Sequence, residues 1–345
     1  MNNPYNVQIT KNEDATVTIE GSIAWEAFAV FEKKAFDRLG AHLELPGFRK
    51  GHVPEDIAKK HLGDELLLAD MAELAIQEFY PKILDEQNID AIGRPQLSIT
   101  KLARGNELGF SIRSAVLPDI DLPDYKTIAK ETPQKDAAPV TEEDVEKVIE
   151  NLRHLRAYGH VHHEGDDHKH EEPLPEVNDK FAQSFGEFKT LTELKEKIKE
   201  NTAKEKKLEA EDKRRADIIE GVIGKTTFVV PEVIVDAEQD KLFAQIEADV
   251  ARSGFSMEDY LKHTNKTKEA LLAEFRPEAE KRGRMQLVVN AIAKKENIRA
   301  TDEEVSARAN ALLKMYPGAD KARTEAYADM VITNEKVMAF LEEQK

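Results

Sequence analysis

The sequence predicts an α+β domain with an antiparallel sheet, followed by an all-α domain with extended arm helices, in a multidomain, elongated chain. Three observations carry that expectation. Apolar residues alternate with polar ones near residues 5–20 and again at 89–117, with helical spacing in between. From residue 139 onward the apolar period is helical almost throughout. The chain has 345 residues, 34% of them charged and only 6% aromatic, with a mean hydropathy of −0.57, as expected of a helix-rich, open molecule rather than one barrel.

Val7 and Ile9, then Val17 and Ile19, alternate around Asn12-Glu13-Asp14, the pattern of a β-hairpin. Ser22 is placed to cap a helix whose apolar face carries Trp25, Phe28, Phe31, Ala35 and Leu39. Ile57, Leu62, Leu66, Leu67, Met71, Leu74, Ile76, Phe79 and Ile83 mark one short and one longer helix. Leu97, Ile99 and Leu102, then Leu108, Phe110, Ile112 and Ala115, return to strand character around an Arg104-Gly105-Asn106 turn. Pro118, Pro123 and Pro133 close this domain.

Thr141-Glu142-Glu143-Asp144 is a helix start, and Val145, Val148, Ile149, Leu152 and Leu155 fall on one face of a helix that ends near Tyr158-Gly159. A long helix starts at Thr190-Leu191-Thr192-Glu193, its stripe running through Leu194, Ile198, Leu208, Ile218, Ile219 and Val222. About 30 helical residues span roughly 45 Å, so this is an arm. Pro231 opens the next helix and Gly254 stops it. Ser256 and Thr267 cap two more, and Thr301 with Glu304 forms a capping box. The end of the chain is a last helix or helix pair. The division expected is residues 1–130, α+β; 131–159, a connection and first helix; 160–172, a linker; and 173–345, helical.

Net charge is −17, which argues against general nucleic-acid binding, DNA included. Residues 1–130 hold 15 Lys+Arg against 21 Asp+Glu, a net −6, leaving −11 for the remainder. Within 45–61 the balance reverses locally, where Arg49, Lys50, Lys59 and Lys60 outnumber Glu55 and Asp56. There are no cysteines, so disulfides and thiolate sites are excluded. No run approaches 18 apolar residues and Met1–Tyr5 has no apolar core, so a cytoplasmic protein without a membrane partner is expected.

No phosphate-binding loop, dinucleotide fingerprint, nucleophile elbow or zincin pair occurs. His154 and His160 flank a helix end and His263 stands in a polar stretch, so no catalytic residue is assigned and no cofactor is expected. His160, His162, His163, His168 and His170 alternate with carboxylates in a segment almost without apolar side chains. One reading is a Zn²⁺ or Ni²⁺ tract; the other is a solvated acidic linker that takes up metal adventitiously.

Gly47-Phe48-Arg49-Lys50-Gly51-His52-Val53-Pro54 is the densest local signal. Two glycines bracket an aromatic and two cations, and Pro54 suits the first turn of a following helix. Such a tip offers Arg49 and Lys50 to phosphate and Phe48 to an apolar partner, or is a basic surface loop with Phe48 folded back. Gly47, Phe48, Arg49, Gly51 and Pro54 match every fixed position of G-F-R-x-G-x-x-P. That motif resembles the ribosome-docking loop of bacterial trigger factors. The order of segments behind it is similar too: the α+β domain, the Thr141 helix, Leu174-Pro175-Glu176 with Phe181 and Phe185-Gly186, Val230-Pro231, and the helices around Thr301.

The resemblance implies an ATP-independent chaperone docked near the exit tunnel of the large ribosomal subunit, on its protein and RNA, sheltering nascent polypeptides. Gly47, Phe48, Arg49, Lys50, Gly51 and Pro54 would bind the ribosome. Met257, Phe275, Met315, Tyr316, Met330, Met338 and Phe340 are candidates for client contact, since exposed Met and aromatics adapt to varied partners. A homodimer of the free protein is compatible with the sequence. One departure is large: the family usually carries an FK506-binding-type prolyl isomerase domain of on the order of a hundred residues, where this chain has residues 160–172. The expectation is a chaperone without that catalytic module; the alternatives are a trigger-factor-type prolyl isomerase or a His-rich metal-binding protein.

Overall fold

A computed structural model describes residues 4–45, 48, 53, 55–134, 136–158 and 174–344. In chain order the elements are β1 (Tyr5–Lys11), β2 (Thr16–Ile23), α1 (Trp25–Phe28) running through a 3₁₀ turn into α2 (Glu32–His42), α3 (Glu55–Glu86), β3 (Ala91–Lys101), β4 (Leu108–Val116), α4 (Tyr125–Glu131), α5 (Glu142–Tyr158), α6 (Asp179–Gln183), α7 (Leu191–Ile223), α8 (Glu232–Arg252), α9 (Met257–Thr264), α10 (Lys268–Glu296), α11 (Asp302–Met315) and α12 (Lys321–Glu342). They form two compact units, residues 1–121 with 226–287 and residues 122–225 with 288–345. Among the described residues no helix is long and apolar enough to cross a membrane.

In the first unit the strands make one antiparallel sheet in the order β1-β2-β4-β3. The hairpin and strand expectations hold. Alternation puts Val17, Ile19, Ile23, Leu108, Phe110 and Ile112 on the covered face, where they pack with Phe28, Phe31, Ala35, Met71, Phe79 and Ile83 from the helices. Tyr5, Phe31 and Phe79 meet edge-on at centroid distances of 5.5 and 6.0 Å, a geometry aromatic quadrupoles favour. The expected short and long helices are joined through Gly63, whose φ of +72° and ψ of 159° break the α3 helix without a Cβ penalty.

Ser22 does not cap a helix. It lies inside β2, opposite Asn6 and Gly109, and the helix begins two residues later from Ala24 with no side-chain cap. The strand ladder claims Ser22 because it sits in register between two neighbours, a non-local demand that capping preference cannot outbid. A second core in this unit joins Val230, Val235, Ala279 and Leu287, with Ile120, Phe228, Ile234 and Leu242 packed on it.

In the second unit Val145 and Ile149 of α5 pack with Phe181, Ala182, Leu194 and Ile198. Leu155 and Leu208, assigned to apolar stripes by spacing, stay exposed at 41% and 59%. Leu155 lies past the packed part of α5, and Leu208 lies between the two buried stretches of α7, Leu194–Thr202 and Ile218–Val222, so period alone misassigned both. Two helices escaped the periodicity reading: α4, capped by Asp124 on the Thr127 amide, and α6, capped by Asn178 on the Phe181 amide. Both are too short to show a period. The final segment is one helix, not a pair.

Thr301 and Glu304 make the expected capping box, with Thr301 N–H donating to Glu304 Oε2 at 2.7 Å and Lys336 Nζ donating to the same oxygen at 2.6 Å. The Lys336 bond first, and the Thr301 amide second, hold the Glu304 carboxyl down at about 2. A depressed folded value means the contribution is fully present above the ordinary value near 4.5 and is lost as pH falls toward about 2. The protection factors of the amides at the α11 start, measured against intrinsic exchange, are expected to fall across that window, and Glu304→Gln should remove that pH dependence of protection. An unchanged acid response in Glu304→Gln would contradict this role.

Candidate functional site

The 46–54 connection leaves the end of α2 and returns at the start of α3, so its position depends on how those helices are clamped. Arg38 on α2 donates from Nε to both carboxylate oxygens of Asp70 at 3.0 Å, and from Nη2 to Asp70 and to Glu73 Oε2, the latter at 2.7 Å. The bonds to Asp70 and then Glu73 raise the Arg38 guanidinium further above its ordinary value, so it is charged at any physiological pH. Arg104, in the β3–β4 turn, donates to Glu32 at 3.1 Å and to Asp64 at 2.8 Å. One arginine ties α2 to α3; the other ties the sheet to both. Behind them lies the Phe28, Phe31 and Met71 core.

Phe48 is 37% exposed, and its amide donates to the Leu45 carbonyl at 3.0 Å. Ile57, at the start of α3, is 42% exposed. Gly47, Arg49, Lys50, Gly51 and Pro54 lie outside the described residues, as do His160, His162, His163, His168 and His170. Among the described residues no group of three or more His, Asp and Glu could hold a metal ion.

The candidate client residues fall in both units. In the first, Met257 and Phe275 are half-buried. In the second, Met315 and Tyr316 at the end of α11 are 69% and 61% exposed, while Met330, Met338 and Phe340 are half-buried on α12. The Lys126 ammonium lies over the Phe340 ring at 5.3 Å, which gives that ring a structural partner.

Sequence reasoning missed an apolar concavity beside α8. A groove of about 550 Å³ opens between α8 and α9, lined by Ile246, Val250, Phe255 and Tyr260 with Asp249, Ser253 and His263. Gly254, at φ +81°, turns the chain, and the Phe255 amide donates to the Val250 carbonyl at 3.1 Å, which sets the Phe255 ring at the rim, 60% exposed. The signal was present as an aromatic directly after a helix-stopping glycine. Tyr327 on α12, 54% exposed, was also missed.

Two models of one family match this chain: that of the bacterial trigger factor protein over residues 5–152, and that of its C-terminus over residues 190–344. The chain belongs to the trigger factor family. It is 26% identical to the trigger factor of Clostridium kluyveri over 425 aligned positions, covering 97% of this chain and 98% of the relative. With the Clostridium botulinum trigger factor it shares 25% identity, each covered to 98%, and with that of Halalkalibacterium halodurans 27%, each covered to 87%. A solved chain, described under promiscuous substrate recognition in the folding and assembly activities of the trigger factor chaperone, superposes with a TM-score of 0.54 at 20% identity. It covers 99% of this chain and 100% of its own length, so the fold is shared. An alignment of 425 positions on a chain of 345 residues leaves at least 80 positions of the C. kluyveri trigger factor without a counterpart here (425 less 345). Residues 153–189 lie between the two matched stretches.

Proposed function

We propose that this chain is an ATP-independent, cytoplasmic chaperone that docks at the exit tunnel of the large ribosomal subunit and shelters nascent polypeptides. The observation that carries the reading is an exposed Phe48 in the connection between two clamped helices, inside a trigger factor N-terminal domain and within the G-F-R-x-G-x-x-P sequence. Arg49 and Lys50 supply charge toward ribosomal RNA and protein, and Phe48 an apolar anchor. Residues 1–130 serve as the docking domain and residues 173–345 as the client-holding arms. The exposed Met315 and Tyr316 and the Phe255 groove support weak, adaptable client contact.

Prolyl isomerisation is not part of the proposal. Support comes from the positions missing relative to the C. kluyveri trigger factor and from the short stretch between the matched parts. The His-rich residues 160–172 then act as a solvated linker, with zinc uptake incidental; tight, stoichiometric zinc binding in calorimetry would reverse that assignment.

The test is co-sedimentation of the intact chain with ribosomes, beside suppression of aggregation of a denatured protein without ATP and a cis-proline peptide assay. Ribosome binding and suppression are expected, with proline isomerisation at background. Failure of both binding and suppression would end the chaperone reading, and clear acceleration of the proline peptide would restore the isomerase reading.

A further inference from the structure

The two apolar rows of the sheet do not end where its helical cover ends. Ile9, Ile19, Ile112 and Leu97 lie opposite one another across the four strands, as do Val7, Gly21, Phe110 and Ile99. In the middle of these rows Ile19, Ile112 and Phe110 are fully buried. At the β1 edge Val7 and Ile9 are half-buried against the same core. At the β3 edge the rows run into solvent, with Leu97 41% and Ile99 38% exposed. Each is an apolar side chain on the core face of the sheet, and among the described residues no strand lies beyond it.

The backbone there is open as well. β3 is the last strand of the sheet, and among the described residues no backbone bond outside the β3–β4 ladder involves residues 94–101. Pro95 has no N–H to offer, and the register shifts between Ile92 and Gln96 and between Ile99 and Lys101. Those features limit the usable edge to Gln96–Thr100, five residues or roughly 17 Å. β3 carries Arg94 and Lys101 and no carboxylate, with Lys101 shared with Glu107 at 3.2 Å. A second copy would bring the same two cations to the edge and another −17 of net charge, which disfavours self-pairing.

We propose that Gln96–Thr100 is a strand-addition site that captures an extended, alternately apolar, carboxylate-flanked segment of an unfolded polypeptide as a fifth strand. The guest's main chain satisfies the open edge, its apolar side chains continue the two rows past Leu97 and Ile99, and its flanking carboxylates meet Arg94 and Lys101. The proposal rests on the chaperone reading only for the source of the segment. It assigns client contact to the docking domain as well as to the arms.

The probe is a short synthetic peptide of alternating Val and Thr with Glu at both ends, added to the full chain, and a control peptide with Pro at its centre. Binding is followed by anisotropy and by amide exchange at residues 96–100. The alternating peptide should protect those amides and the proline control should not. Leu97→Lys/Ile99→Lys changes two exposed side chains and is expected to weaken binding at least about tenfold. This variant should keep the melting temperature of the parent to within a few degrees, and Phe255→Ala should leave the protection pattern unchanged. No protection at 96–100, equal protection by the proline control, or protection that rises with protein concentration without peptide would overturn the site. Loss of the peptide signal with aggregation suppression intact removes this site alone; loss of suppression in the unaltered chain removes the chaperone reading itself.

Discussion

Phe48→Ala/Arg49→Ala/Lys50→Ala is expected to lower ribosome affinity about a hundredfold while leaving the melting temperature unchanged. Burying a Phe side chain contributes roughly 1.5–3 kcal/mol, and ~1.4 kcal/mol is a factor of ten, so Phe48→Ala alone should cost about tenfold. The two cations account for the rest, through counterion release from ribosomal phosphate; removing them should flatten the dependence of log affinity on log salt by about one to two. Stability should not move, because Phe48 lies outside the packed core formed by Phe28, Phe31, Met71 and Phe79. Co-sedimentation across a salt series checks all three statements. Equal binding by the triple variant and the parent would remove the loop from the docking assignment. A lower melting temperature would show instead that Phe48 is part of the fold.

Gly21→Val should unfold the sheet-containing unit or destabilise it by about 3 kcal/mol or more. Gly21 sits mid-strand in β2, between Val7 and Phe110. A Cβ there would fall 2.8 Å from Val7 Cγ1, 3.0 Å from Phe110 Cζ and within contact of the Asn6 carbonyl oxygen, which is backbone and cannot rotate away. Relief requires β1 to separate from β2, which breaks the ladder and opens the Ile19–Phe110 core. Ribosome binding should be lost with the fold, since the Arg38 and Arg104 clamps hold the loop base only when that core is in place. Gly40→Ala is the matched control: a Cβ at this α2 position meets nothing within 4 Å, and Ala favours helix by roughly 0.5–1 kcal/mol. A thermal melt of both variants decides the point. A folded Gly21→Val with parental stability would show that the β1–β2 spacing is looser than the ladder implies.

These two cases mark what could be read directly and what could not. The membership of the trigger factor family was legible in the Gly47–Pro54 motif because a short linear motif needs no distant contact to be recognised. The hairpin, the split of residues 55–86 into a short and a longer helix, and the caps at Thr190, Ser256 and Thr301 were legible for a related reason: each depends on residues close in the chain. Gly21 gave no such sign. Its importance comes from Asn6 and Phe110, far apart in the chain and brought together only by the sheet.

Ser22 shows the same boundary from the other side. Its residue type favours a cap, but its register between Asn6 and Gly109 makes it a strand residue. Leu155 and Leu208 had the right spacing for an apolar face but stay 41% and 59% exposed. Leu97 and Ile99 alternated as a strand should, yet only the strand order, with β3 at the edge and the helices over the centre, left them bare. Periodicity, capping and short motifs are local, so the residues alone were enough for the class of fold, its longer elements in order and the G-F-R-x-G-x-x-P motif. Tertiary structure alone decided which apolar residues are covered, how arginines brace the loop base, and that a groove forms beside Phe255, because burial depends on what the rest of the chain places next to a side chain.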